Sequence, residues 1–239
     1  VVGNYSTEES EGKALGCMYE GPLDGSGKWM TLLPQFGTEQ TLNVIAHSTY
    51  GDLVVGNYDT TIYQGKAFIY DIRTGVYYDI AKPNECPSDV NIKSITAYGV
   101  WGNDCRNYTI CGGFTRLDPK TGLDSGYLLD WNNETHTFSN WRSYNYNNDN
   151  KTAAVTHFDG ITPDGEGGYN LTGDAILING EKEIAFFSHI NCNNEAHWSQ
   201  ILYPESSGTS GNSVYKSAVI GVYQIDPIPT VNGYISIRV

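Results

Sequence analysis

The sequence predicts an all-β protein, most simply a five-bladed β-propeller built from four-stranded repeats. Three observations predict it. Strand-forming residues leading into a glycine recur five times along the 239 residues. Each copy but the last is followed by two further strand-like runs, rich in β-branched and aromatic residues and set off by turns bearing Gly, Asn or Asp. No stretch holds apolar residues at spacings of three and four, so long helices are not expected.

The second copy is the clearest. Val54-Val55-Gly56-Asn57-Tyr58 leads to Lys66-Ala67-Phe68-Ile69-Tyr70-Asp71 and then to Val76-Tyr77-Tyr78-Asp79-Ile80. Val1-Val2-Gly3-Asn4-Tyr5 repeats its opening letter for letter, followed by residues 14–19 and 28–32. The third copy opens with Ile110-Cys111-Gly112, the fourth with Leu171-Thr172-Gly173 and the fifth with Val219-Ile220-Gly221. The anchor glycines Gly3, Gly56, Gly112, Gly173 and Gly221 lie 53, 56, 61 and 48 residues apart. Ahead of the anchor comes one more β-rich run, at 43–47, 92–97 and 153–157, with a weaker partner at 213–217. Four-stranded units of about 40–60 residues, repeated, are the mark of a propeller, in which each blade buries its face on the next. The blades then fall at approximately 1–40, 41–90, 91–150, 151–210 and 211–239, the first and last incomplete. A β-sandwich or a β-solenoid is the alternative.

Thr49-Tyr50-Gly51-Asp52-Leu53-Val54-Val55-Gly56-Asn57-Tyr58, and residues 161–165 running on to Leu171-Thr172-Gly173, resemble the extracellular repeats of the HAF family. In those modules a glycine turn precedes a V-V-G-x-Y strand and an aromatic-rich strand follows, as Gly65-Lys66-Ala67-Phe68-Ile69-Tyr70-Asp71 does here. The resemblance implies a secreted repeat protein and carries no settled activity.

Composition narrows the partners. A net charge of −13 repels phosphate backbones and anionic lipid, which disfavours nucleic-acid and membrane-surface roles. No apolar run is long enough to span a bilayer as a helix. Five N-x-S/T sequons, at Asn4, Asn107, Asn133, Asn150 and Asn170, are candidate glycosylation sites. Of the five cysteines none has zinc-like C-x-x-C spacing, so no structural metal site is expected from them. Cys105 and Cys111 are the pair expected to bridge, with Cys17, Cys86 and Cys192 left open. Sequons and cysteines together point to an oxidising, secretory location.

The candidate chemistry lies where first strands would line a central channel. In the repeat register His47 and His157 take the same place, which in the third blade is Ala97. Tyr50, Asp52, Trp101, Asp104, Asp159 and Asp164 follow nearby. Histidines and carboxylates converging on an axis suit acid–base chemistry, a divalent cation or hydrogen bonds to a sugar. Trp101, Tyr50 and Tyr144 mix with amide and acidic groups, the combination that stacks on and hydrogen-bonds a carbohydrate. The acidic turn at 159–166 could hold calcium, although no EF-hand loop is present. Carbohydrate or extracellular matrix is therefore the expected partner. The reading is a binding or structural module, with two alternatives. One is a glycoside hydrolase or lyase using Asp52 with Asp159 or Asp164; the other is a matrix- or filament-forming repeat. A remote fourth reading takes Gly208-Thr209-Ser210-Gly211-Asn212-Ser213 as the nucleophile loop of a chymotrypsin-like protease, with Ser210 attacking and His47 as its base.

Overall fold

The computed structural model describes residues 1–80, 92–117, 124–148, 151–178, 182–226 and 228–237. Among these there are strands and turns and no helix, so no helix is long and apolar enough to cross a membrane. Five antiparallel sheets follow one another about a common axis: the fold is a five-bladed β-propeller.

The first sheet holds Val2–Tyr5 (β1), Leu15–Glu20 (β2) and Lys28–Leu32 (β3). The second holds Thr41–Tyr50 (β4), Leu53–Thr60 (β5), Lys66–Asp71 (β6) and Val76–Asp79 (β7), in chain order. In the third, Ile92–Ile95 (β8) and Gly99–Gly102 (β9) both pair with Asn107–Arg116 (β10), followed by Ser125–Asn132 (β11) and Thr137–Tyr144 (β12). The fourth runs from the short Asn147–Asn148 (β13) through Lys151–Pro163 (β14), Tyr169–Leu177 (β15) and Glu183–Ile190 (β16) to Ala196–Ile201 (β17). The fifth holds Gly208–Tyr215 (β18), Ala218–Ile225 (β19) and Ile228–Ile237 (β20).

The anchors are the second strands: β1, β5, β10, β15 and β19. Their glycines have one cause. A Cβ added to Gly56, Gly112, Gly173 or Gly221 would overlap the carbonyl oxygen of Ile45, Thr96, His157 or Ser210 on the first strand of the same blade. Only a residue without a side chain lets the two backbones come that close. The turn between β4 and β5 is Gly51-Asp52, and Gly51 takes the left-handed φ of 56° that such a tight hairpin requires.

Apolar faces pack blade on blade. Met18, Val44, Val54 and Phe68 fill the first interface; Val55, Ile69, Ile110 and Trp131 fill the second. Leu128, Phe158, Leu171 and Phe186 fill the third, and the fourth is a smaller cluster of Phe187, Val214 and Val219. Burying each large side chain contributes on the order of 1.5–3 kcal/mol. Among the described residues no strand of the fifth sheet packs broadly on a strand of the first.

Three local expectations need correction. The fifth blade's first strand is β18, which begins five residues ahead of the run at 213–217. The third blade's first strand is divided into β8 and β9 by a one-residue register shift; between them Thr96 and Tyr98 still donate to the Gly113 and Cys111 carbonyls, and the Ala97 N–H turns to the Oδ1 of Asn57 in the second blade. Cys105 and Cys111 are both free thiols. Cys111 is buried mid-strand, its Sγ directed at the carbonyl of Phe158, whereas Cys105 is exposed in the turn before β10. Cys17 and Cys192 are also free, and Cys86 lies outside the described residues.

Candidate axial site

The anchor glycines fix how first strands correspond. The carbonyls that lie over them belong to Ile45, Thr96, His157 and Ser210, so these four residues are equivalent. Two residues further on come His47, Tyr98, Asp159 and Asn212. His47 therefore matches Asp159, and His157 matches Ile45, a shift of two from the register read in the sequence. In the second, fourth and fifth blades the pairing register breaks at His47, Asp159 and Asn212, each an extra residue in a β-bulge. A bulge re-aims the extra side chain, and sequence periodicity alone does not reveal it.

A second row of side chains comes from the residue after the anchor glycine. Asn57 stands within 3.0 Å of the His47 Nε2 and accepts the Ala97 N–H at 2.8 Å. Its counterpart Asp174 accepts the Gly211 N–H at 2.8 Å and the Ser210 hydroxyl at 2.9 Å. Each of these positions thus ties its blade to the first strand of the next.

Tyr98 stands between the two histidines. Its ring meets His47 edge-on at 4.5 Å between centroids and lies 6.0 Å from His157. Burial pushes the His47 imidazole down to about 4 and lowers His157 too, so both rings are neutral at pH 7. His157, Asp159 and Asp174 converge: one donor atom from each lies within 4.8 Å of the others. Burial, then the neighbouring Asp174 and Glu183, raise Asp159 well above the usual carboxylate range. Burial likewise pushes Asp174 up to about 7, partly opposed by the Gly211 and Ser210 donors. The Oδ2 of Asp159 is sealed from solvent and has no hydrogen-bond partner, although the residue keeps partial access to the axis. Such an atom calls for a proton, a ligand donor or a cation.

The other sequence-derived candidates stand elsewhere. Asp52 is exposed in the β4–β5 turn. Asp164 stabilises the turn after β14: burial would raise it, but the Glu166 and Gly168 N–H groups and His189, at 2.9 Å, hold it below its ordinary value. Neither joins Asp159. Asp104 caps a turn by accepting the N–H groups of Arg106 and Asn107. Tyr50 packs on Trp101 at 4.5 Å across the second interface. Trp101 and Tyr144 are half-buried, Tyr144 against Phe158, rather than freely exposed. Ser210 sits in a strand and gives its hydroxyl to Asp174, not to His47. A chymotrypsin-like reading also needs two barrels, which the five sheets are not.

The sequons differ in access. Asn4 is exposed, Asn107 and Asn170 are half-buried, and Asn150 lies outside the described residues. The Asn133 side chain is buried, accepting from Trp131 Nε1 and donating to Asp71, which leaves no room there for a glycan in the folded blade.

Asp174 and Tyr98 are the site residues the sequence reading missed. The available signal was the anchor itself, since Asp174 follows Gly173 as Asn57 follows Gly56, and both side chains reach the next blade.

No family model matches the chain, and no curated protein matches it. Among solved structures it is similar to a GH32 β-fructofuranosidase of Bombyx mori, with 10% identity and a TM-score of 0.39. That match covers 91% of this chain and 50% of the other, so the chain spans half the length of that relative. It is also similar to a luciferin-regenerating enzyme, with 11% identity and a TM-score of 0.28, over 98% of this chain and 90% of the other. At such values the likeness carries no argument about function.

Proposed function

We propose that the protein is a secreted propeller that binds carbohydrate at its axis, with Asp159 as proton donor and Asp174 as nucleophile on the bound sugar. The observation that carries this reading is the pair itself. Two carboxyl groups from adjacent strands face each other beside the neutral His157, and burial keeps a proton between them at neutral pH. A carboxylic acid beside a carboxylate nucleophile, at about 5–5.5 Å, is what retaining glycosidic cleavage needs: the acid protonates the leaving oxygen as the carboxylate bonds to the sugar carbon, and water then hydrolyses that ester. Tyr98 and His47 supply a flat, neutral wall beside the pair. The sequons and the likeness to HAF-type repeats support an extracellular setting, and the strongly acidic surface suits a neutral ligand.

A second reading follows from the unpartnered Asp159 Oδ2: a divalent cation held by His157, Asp159 and Asp174. The donor set fits a divalent ion, with Ser210 and Gly211 orienting Asp174 from behind. An imidazole among three donors suits zinc, manganese or iron better than the calcium considered from the sequence, since calcium prefers six to eight oxygens.

One experiment tests both readings. A panel of glycans and polysaccharides is screened for binding and for release of reducing ends, with and without a chelator, on wild type, Asp159→Asn and Asp174→Asn. Release that survives chelation and is lost in both variants supports the pair of carboxyl groups as acid and nucleophile. Release or binding lost on chelation moves the assignment to the cation. Binding without release returns a lectin-like role, and silence throughout sinks the carbohydrate reading in favour of a structural one.

A further inference from the structure

We infer that the face of the fourth blade turned toward the fifth carries a metal site apart from the axis, in which Asn170, His189 and His197 bind a divalent cation of the zinc class. The three residues form one row across the sheet. Asn170 on β15 stands directly opposite His189 on β16, and His189 directly opposite His197 on β17. Residues so opposed share a face and keep their Cβ atoms about 4.5–5.5 Å apart. The same strands fix which face it is: Asp174 of β15 bonds Gly211 of the fifth blade, and Phe187 of β16 clusters with Val214. Asn170 lies four residues along β15 from Asp174, about 13 Å at the rise of a strand, so this row is separate from the axial carboxyls.

Two imidazole nitrogens and an amide oxygen are donors that zinc, copper and nickel accept. The rings are placed for one ion. Their centroids lie 6.3 Å apart, with planes 18° from parallel. Metal–nitrogen bonds of about 2.0–2.1 Å hold the centres of two imidazoles on one zinc ion about 5–6.5 Å apart. His189 is also oriented: its Nε2 bonds the Asp164 Oδ2 at 2.9 Å, which leaves Nδ1 for the ion. A carboxylate behind the ring is the usual support of a metal-binding histidine. Asp164 is itself fixed, since its Oδ1 accepts the Glu166 and Gly168 N–H groups.

A separate observation at the inner end of the row points to a ligand. Thr162 on β14 stands opposite Asn170 and is 6% exposed, and among the described residues its Oγ1 has no hydrogen-bond partner. A buried hydroxyl in that state calls for one, and a water on an ion beside Asn170 supplies it. At the outer end His197 is exposed and the His189 side chain is 33% exposed, so an ion can enter from solvent. The net charge of −13 draws cations to the surface. The bound ion clamps β15, β16 and β17 together at the end of the blade away from Asp174.

The test titrates the whole protein, free of any polyhistidine tag, with zinc alone against a chromophoric chelator, and follows the histidine ring signals by NMR. Wild type should bind an ion with a dissociation constant in the micromolar range, moving the His189 and His197 signals. Asp164→Asn should weaken that binding about tenfold or more, and His197→Gln further. His197→Gln should melt with wild type when no metal is present, because the ring is exposed. Asp159→Asn should keep the ion, which separates this site from the axial donors. No saturable binding, or no movement of the His189 and His197 signals, overturns the inference. So does binding that Asp159→Asn or Cys192→Ser abolishes while His197→Gln retains it, which would put the ion at the axis or on the thiol.

Discussion

Ser210 and Asp174 are joined across two blades: the serine hydroxyl on β18 donates to the Asp174 Oδ2 on β15 at 2.9 Å. The Gly211 N–H donates to the other oxygen at 2.8 Å. This polar tie supplements the smallest of the apolar interfaces, that of Phe187, Val214 and Val219.

Ser210→Ala should therefore destabilise the fold by about 1–3 kcal/mol, the cost of leaving a buried acceptor without its donor. Urea denaturation of the two proteins checks it. A loss below about 0.5 kcal/mol would show that Asp174 is held by Gly211 alone.

The burial of His47 makes stability depend on pH. Its folded pKa is about 4, below the ordinary 6.5, so the unfolded chain binds the proton first. The stabilising contribution is complete above pH 6.5 and is lost as pH falls from 6.5 through 4, to a limit of about 3 kcal/mol. His157 acts with the same sign, and Asp174 with the opposite sign between about 4 and 7. The difference between wild type and His47→Gln isolates the first effect. Melting temperatures should diverge between pH 8 and pH 4, with wild type losing more; parallel curves would count against a buried neutral imidazole.

The anchor glycines should rank by what lies over them. Gly112→Ala and Gly173→Ala push a side chain into a first-strand carbonyl and should cost at least about 2 kcal/mol each, whereas Gly3→Ala should be near neutral. Thermal unfolding of the three variants gives the order.

Thiol labelling should divide the cysteines by exposure. In native protein Cys105 and Cys192 react with a maleimide, while Cys17 and Cys111 react only after unfolding. Peptide mapping reads this out. Protection of Cys105 together with Cys111, reversed by a reductant, would restore the disulfide expected from their spacing.

Much of the fold was legible because the anchor repeats with a physical cause. Gly56, Gly112, Gly173 and Gly221 all admit a crossing carbonyl, and the runs that follow them bury the same faces. The axial site was legible only in part. His47, His157 and Asp159 stood out as titratable groups on first strands, but their true alignment depends on bulges at His47, Asp159 and Asn212 that leave no mark on alternation. Asp174 was hidden inside the anchor, where it read as one more strand residue. Asp52 and Asp164 were chosen by closeness along the chain, and the hairpin turns carry both away from Asp159.

Every sheet is completed by residues close together in sequence, and each packs mainly on its immediate successor. Ordering one blade therefore closes only short loops, so the chain can gain structure stepwise as it leaves the ribosome, with no wait for distant partners. Among the described residues the first and fifth sheets each pack broadly on one other sheet, whereas the inner sheets pack on two. Amide protons of β1 and β20 should exchange soonest and those of β10 and β14 last, so native fluctuations would peel the molecule from its outer blades inward.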